Sequence, residues 1–407
     1  MKNYREDFPI LDLQVKGKKI IYLDSAATSQ RPRAVLEAVE KYVQEENGNP
    51  HRGSHTLSLR ATEAFDAARL KVQKFIGATS TKEIIFTKNA TEAINLVAYS
   101  YALEHVTKED NIVITIAEHH ANLVTWQQIA RKTGAKLVYM YVDEEGRLPL
   151  KELEKIDKRT KLVACTHMSN VLGSIFPVAQ VIEQGHKVGA KVLIDGAQAV
   201  PHMPVNVKEL DCDFYVFSGH KMYSLMGVGV LYGKEEILEK MQPFLYGGDM
   251  IEYVYEQETS FNELPYKFEA GTQGVESIVS LGAAIDYLHH VGFQNIHERE
   301  MALTKYALAA LSKLSYIHIV GPRDLIDRGA VISFTVEGVH PHDVSMILDH
   351  YGVGVRAGHH CAQPLLRYLD VHACSRASFA FYNTKEEVDA LVKNLDEVRR
   401  VMGYGTK

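Results

Sequence analysis

The chain has 407 residues, 46% of them apolar, and a net charge of −6 without any basic block. That is enough apolar material for one large domain and a smaller companion, and the charge argues against nucleic acid, whose phosphates need concentrated Lys and Arg. Four cysteines, at 165, 212, 361 and 374, are too few and too scattered for a disulfide framework or a zinc site, so a reducing cytoplasm is the expected setting. The opening stretch, residues 1–19, lacks the apolar run of a secretory signal. No segment approaches the roughly 18 consecutive apolar residues of a membrane span.

From about residue 80, short apolar strands alternate with amphipathic helices. The pattern predicts strands at Ile84–Phe86, Asn111–Ile116, Lys136–Tyr141, Leu162–Thr166, Val192–Ile194, Phe214–Phe217 and Val228–Tyr232. Helices are predicted at Ala93–Leu103, Leu123–Lys132 and Val178–Val188. Strands apolar on both faces, joined through helices, imply a mainly parallel sheet covered by helices, with functional groups at the strands' carboxyl ends. Residues 240–272 are weakly periodic and read as an irregular excursion. Helices are then expected at Ile278–His290 and Asn295–Leu314, a strand at Val331–Val336 and a helix at His342–His350. Strands near Val353–Arg356 and at Ala377–Phe381 and a last helix, Lys385–Met402, complete an α+β second domain, beginning near 290–295.

Several polar residues fall at predicted strand ends. Asp195 ends one strand, with Gln198 over the following turn, and Ser218-Gly-His-Lys221 ends the next. Adjacent strand ends would gather Asp195, Gln198 and Lys221 around one crevice. A desolvated lysine there becomes a nucleophile toward an aldehyde, and a carboxylate facing a pyridine nitrogen keeps it protonated. Taken singly, Asp195 also reads as a helix cap and Lys221 as a surface residue. Thr87-Lys-Asn-Ala-Thr91 follows a strand and opens a helix, so Ala90 and Thr91 can meet a phosphate, completed by Ser218 and His220, although a plain cap has the same signature. His119 can stack on a planar ring or be an ordinary loop histidine. Asn170 can reach a phenolic oxygen or a carboxylate. Arg376 suits a carboxylate or a surface ion pair.

The last feature is Arg356-Ala-Gly-His-His-Cys361. Two imidazoles and an arginine beside a thiol favour the reactive thiolate. A buried structural cysteine is the alternative, and a metal site is disfavoured because adjacent ligands rarely converge on one ion.

Together, Ser218-Gly-His-Lys221, Asp195-Gly-Ala-Gln198, Glu118-His-His-Ala-Asn122, His51-Arg-Gly53 and the Cys361 loop resemble the group II, SUF-type cysteine desulfurases, from about Phe8 to Met402. The resemblance implies an α/β, fold-type I pyridoxal-phosphate transferase of the aspartate-aminotransferase-like kind. An N-terminal segment, 1–20, would pack with the small domain, a large cofactor domain would cover 21–290, and a small C-terminal domain, 291–407, would carry the cysteine loop. Lys221 would hold pyridoxal 5'-phosphate covalently. Asp195 would pair with the ring nitrogen, Gln198 with the phenolic oxygen, and His119 would stack on the ring. Ala90, Thr91, Ser218 and His220 would bind phosphate, joined by Thr272 from the other subunit of a homodimer. Arg376 and Asn170 would hold the carboxylate of L-cysteine. Cys361 would take its sulfur as a persulfide and leave L-alanine, with His51, Arg52 and Arg356 lining the approach. A small SUF-type acceptor protein would receive the sulfur for iron–sulfur cluster assembly. No metal, nucleic acid or membrane is implied. L-selenocysteine or cysteine sulfinate as substrate, and a low-activity docking role, are the alternatives. Three departures stand out: Ser224-Leu225-Met226 replaces Gly-Pro-Thr, Gln273-Gly-Val-Glu-Ser277 follows Thr272 where a proline is usual, and His372 also replaces a common proline.

Overall fold

The computed structural model describes residues 3–404. Its centre is a seven-stranded sheet. In spatial order the strands are Ile84–Thr87, Gly229–Gly233, Phe214–Ser218, Lys191–Asp195, Thr160–Thr166, Asn111–Thr115 and Lys136–Met140. Only Gly229–Gly233 runs against its neighbours. Side chains alternate between two apolar cores, one on each face. Val163 and Cys165 enter one core, while Leu162 and Ala164 enter the other. Burial on both faces explains the continuous apolar runs.

A second, antiparallel sheet has the order Ile317–Val320, Val331–Val336, Cys374–Ser378, Arg356–Gly358. Helices Phe293–Leu311, Pro341–His350 and Lys385–Val401 contribute to its core around Phe334, Val344 and Leu391. The N-terminal segment crosses both modules. Phe8 packs among Tyr223, Tyr287, Phe381 and Tyr382, its ring 4.6 Å from that of Tyr382. Arg5 binds Glu387 and the carbonyls of Leu11 (2.9 Å) and Ile20 (3.1 Å). Ile21–Tyr22 forms a parallel pair with Val353–Gly354.

Several elements differ from expectation. The strand predicted at Ala377–Phe381 lies at Cys374–Ser378. The apolar run Phe379–Tyr382 is buried as a turn, whereas the polar Ser375 and Arg376 occupy the hydrogen-bond ladder, so apolarity there marks burial rather than strand. The expected Val353–Arg356 strand is two short strands in different sheets. The 240–272 excursion contains a hairpin, Ile251–Val254 with Thr259–Phe261. The expected Ala93–Leu103 helix begins at Ala90 and widens into a π turn over Ala98–Ala102. Helix Thr56–Phe75 was not anticipated, because its buried stripe, Ala61, Phe65, Ala68 and Val72, is half alanine. Helices Arg33–Lys41 and Gln363–Tyr368 and strand Ile317–Val320 were also not anticipated.

The reversed strand presses on the helix that opens after Thr87. A Cβ on Gly229 would lie 2.4 Å from the carbonyl carbon of Asn89, the N-cap of helix Ala90–Val97. Gly229→Ala should therefore destabilise the protein by about 1–3 kcal/mol through overpacking against backbone. An unchanged denaturation midpoint would show that the helix start yields freely.

Candidate active site

The carboxyl ends of the parallel strands open into a cleft of about 420 Å³, within the size range of small-ligand sites. Ala90, Thr91, His119, Asn170, Asp195, Ser218, His220, Lys221, Arg356, Cys361 and Arg376 all line it. Parallel pairing sets Asp195 beside Val216, two residues before the end of the lysine's strand. Lys221 closes the short 3-10 turn Gly219–Lys221 that follows that strand.

The cleft removes charge from water. Lys221 lines it half-buried, and desolvation lowers the amine's pKa against the opposing pull of Asp195. Burial raises the Asp195 pKa, opposed by Lys221 and by the Ala197 amide, which donates to the carboxylate at 3.0 Å. A buried carboxylate of this kind suits a cationic N–H such as a protonated pyridine nitrogen. The start of helix Ala90–Val97 suits an anion: its Ala90 amide already donates to Ser218 Oγ at 2.8 Å, and Thr91 is exposed beside it. His119 Nδ1 accepts the Ala121 amide at 3.1 Å, which leaves the proton of the neutral ring on Nε2. Burial and the nearby Lys221 push its pKa down to about 3, so the ring is uncharged at neutral pH. Beneath it, buried Glu118 accepts from Thr115 Oγ1 (2.6 Å), Asn122 Nδ2 (2.7 Å) and the Thr166 amide (2.9 Å). These residues fit pyridoxal phosphate: an amine, a carboxylate, a flat imidazole and a helix start face one cleft.

The Cys361 loop is strained and tied down. His360 and Cys361 both have positive φ, +51° and +56°, a conformation costing of order 1–3 kcal/mol per non-glycine residue. Asn170 Nδ2 donates to the His360 carbonyl (2.7 Å), and the His120 amide donates to the Cys361 carbonyl (2.6 Å). His120 Nε2 also accepts the Gln363 amide (3.1 Å). His360 is a neutral neighbour of the thiol. Its Nε2 faces the Cys374 carbonyl at 3.0 Å, and burial lowers its pKa to about 3, so it brings no positive charge to the thiol. The cations in electrostatic reach of Cys361 are Arg356 and Lys221. A more open concavity of about 560 Å³, lined by His120, His359, Gln363, Arg367 and His372 among others, lies against the same loop without the buried Lys–Asp–Arg set.

Four expected residues do not line the cleft of this chain. Gln198 is buried behind it, its Nε2 donating to the carbonyl of Ala26 at 2.8 Å. Thr272 is exposed in a separate cleft with Lys88, Gly227 and Gln273. His51 stacks edge-on against Phe65 and Tyr266, and Arg52 pairs with Asp249.

Sequence reading missed the 24–28 segment. Ala26, Ala27 and Thr28 line the cleft, and Asp24 pairs with both Arg356 and Arg376. The signal was available: Asp24 follows the apolar run Ile20–Leu23, as Asp195 follows its strand. The 224–226 departure is absorbed locally. Ser224 Oγ lies 2.7 Å from Ser280 Oγ, which accepts the Leu225 amide (3.0 Å), and Ser277 Oγ donates to the Met226 carbonyl (2.9 Å). Met226, 62% exposed, stands at the cleft's rim.

The aminotransferase class-V family matches residues 21–391. A probable cysteine desulfurase of Halalkalibacterium halodurans is 50% identical, the match covering 98% of this chain and 97% of that protein. A cysteine desulfurase of Haloferax volcanii is 46% identical, covering 98% and 96%. Among solved structures, the apo cysteine desulfurase of Thermococcus onnurineus superposes with a TM-score of 0.93 at 40% identity, covering 98% and 99%. A cysteine desulfurase of Escherichia coli, solved in an S-sulfonic acid form, gives 0.90 at 40% identity, covering 98% of each chain.

Cys361 is exposed, whereas Cys165, Cys212 and Cys374 are buried, with burial raising their pKa values. Iodoacetamide should therefore alkylate Cys361 alone in the native protein, and all four thiols only after denaturation. Peptide mass spectrometry reads the result. Equal labelling of a buried thiol would contradict the packing described above.

Proposed function

The chain belongs to the class-V aminotransferase family, and we infer that within it this protein is a pyridoxal-phosphate-dependent cysteine desulfurase acting on L-cysteine. The observation that carries the inference is the meeting of Lys221, Asp195, His119, Arg376 and the exposed Cys361 in one cleft. Bound pyridoxal phosphate supplies an electron sink for the carbon skeleton of the substrate. Desolvation lowers the Lys221 pKa, so this amine would hold the cofactor and would stand where a proton is moved at the substrate's Cα. Asp195 would pair with the pyridine nitrogen, His119 would cover the ring, and Ala90, Thr91, Ser218 and His220 would hold the phosphate. Gln198 supports this wall from behind through Ala26. Arg376 and Asn170 receive the substrate carboxylate, and Arg356 lies at the approach to Cys361. The Cys361 thiolate attacks the substrate sulfur. An S–S bond forms, the C–S bond breaks with its electron pair left on carbon, and a proton delivered there gives L-alanine.

Four finer readings accompany this one. The division into a segment 1–20, a large domain 21–290 and a small domain 291–407 is supported by the two separate sheets. The working unit is a homodimer. Thr272, His51 and Arg52 lie on one surface region, because Arg52 pairs with Asp249 while the Gly271 amide donates to the Gly248 carbonyl (2.9 Å). Exposed Leu245, Tyr246, Tyr253, Val254 and Tyr255 share that chain segment, and a second copy covering it would put the three polar residues at its own cleft. The persulfide passes to a small SUF-type acceptor for iron–sulfur cluster assembly, which requires the exposed position of Cys361. The setting is the cytoplasm; no helix among the described residues is long and apolar enough to cross a membrane.

Alanine release from L-cysteine, with reductant present, tests the reading. Wild type should form alanine. Cys361→Ala should form almost none while keeping the absorbance of the bound cofactor, and Lys221→Ala should lose both. Alanine formation by Cys361→Ala at the wild-type rate would remove the thiol from the mechanism. Arg376→Lys keeps the charge but loses the planar fork, and should weaken L-cysteine binding by about 1.5–3 kcal/mol. An unchanged affinity in a cofactor titration would take Arg376 out of the carboxylate site.

A further inference from the structure

Arg356 and Arg376 stand directly opposite each other on antiparallel strands, in register. Like charges in that position repel. Arg376 is also almost wholly buried, with a side-chain exposure of 3%. Between them sits Asp24. Its carboxylate accepts from Arg356 Nε (3.0 and 3.2 Å), is 2.9 Å from Arg356 Nη2, and accepts from Arg376 Nη2 at 3.2 Å. Asp24 itself is fixed by backbone. The Ser378 amide donates to the Leu23 carbonyl (2.8 Å), and the Ala26 amide donates to Ser378 Oγ (2.9 Å). The acid is thus stitched to the strand that carries Arg376.

Arg376 has two settled contacts and one open atom. Nη2 meets Asp24, Nη1 donates to the Asn170 carbonyl at 2.9 Å, and Nε is buried with no protein partner among the described residues. Asn170 in turn donates to the His360 carbonyl, one residue before Cys361. Two guanidiniums sharing one carboxylate leave one net positive charge for an incoming anion.

We propose that Asp24 is a positioning residue for substrate recognition: it draws Arg356 aside and fixes the edge of Arg376, so that Arg376 is presented to the α-carboxylate of an amino-acid substrate in a single orientation. The proposal rests on the cysteine desulfurase reading. It predicts discrimination for a carboxylate specifically, and not a general firmness of the cleft.

L-alanine, the reaction product, and ethylamine, which is the same molecule without its carboxylate, separate the two. Each is titrated into the cofactor-loaded enzyme while the cofactor's absorbance is followed. Asp24→Asn should raise the dissociation constant of L-alanine about tenfold or more, the scale of one charge-assisted contact, and leave that of ethylamine unchanged. Asp24→Glu, which keeps the charge, should recover part of the loss. An L-alanine constant that is unchanged or lower in Asp24→Asn would overturn the proposal, as would equal weakening of both ligands. Should Asp24→Asn fail to load cofactor, Asp24→Glu decides by the same pair: weakening confined to L-alanine supports the role, and equal changes reject it. A wild type that responds to neither ligand would overturn the parent reading and this one with it.

Discussion

Charge taken out of water at one edge of a parallel sheet is the constraint on which the rest of this structure depends. Lys221 and Asp195 sit at neighbouring strand ends, each shifted by burial against the pull of the other. Neither group is stable there alone. Together they form a polar floor suited to a ligand with a cationic edge and a reactive carbonyl. The fold supplies the arrangement because parallel strands place all their carboxyl ends along one side.

The second module meets this floor through backbone as much as through side chains. Asn170, following a strand of the large sheet, holds a carbonyl of the cysteine loop, and the His120 amide holds the next one. Two successive left-handed residues, His360 and Cys361, persist because these contacts over-determine them. The loop therefore projects a thiol outward from a fixed base. The same Asn170 accepts from Arg376 through its carbonyl, so Arg376 and the thiol loop share one residue. Displacement at either is felt by the other through two hydrogen bonds.

Much of this was legible beforehand. Strands buried on both faces announce themselves as apolar runs, and the polar residue that ends each run is easy to single out; Asp195, Ser218 and Asn170 were found in this way. What escaped notice has physical reasons. Helix Thr56–Phe75 hides its buried stripe in alanine. Strand Cys374–Ser378 reads as polar because Arg376 faces the cleft and Ser378 holds the Ala26 amide, while only Cys374 and Ala377 enter apolar cores. The imidazoles beside Cys361 could be cationic or proton-accepting by sequence; burial makes His360 neutral, and no sequence pattern reports desolvation.

By itself, the sequence determined the strands of the large sheet, their mainly parallel arrangement and the groups at their ends, since these follow from local periodicity and from the single turn after each strand; that Gly229–Gly233 is the reversed strand came only from the structure. It also carried the motifs that define the family. Only the tertiary structure decided which distant residues meet. Asp24 joins Arg356 and Arg376 across more than three hundred positions of sequence, Ser280 compensates the changed 224–226 turn, and Thr272, His51 and Arg52 gather away from the cleft of their own chain. Pairings of this kind arise from packing between modules, where an unpaired buried charge is costly and the partner need not be close in sequence.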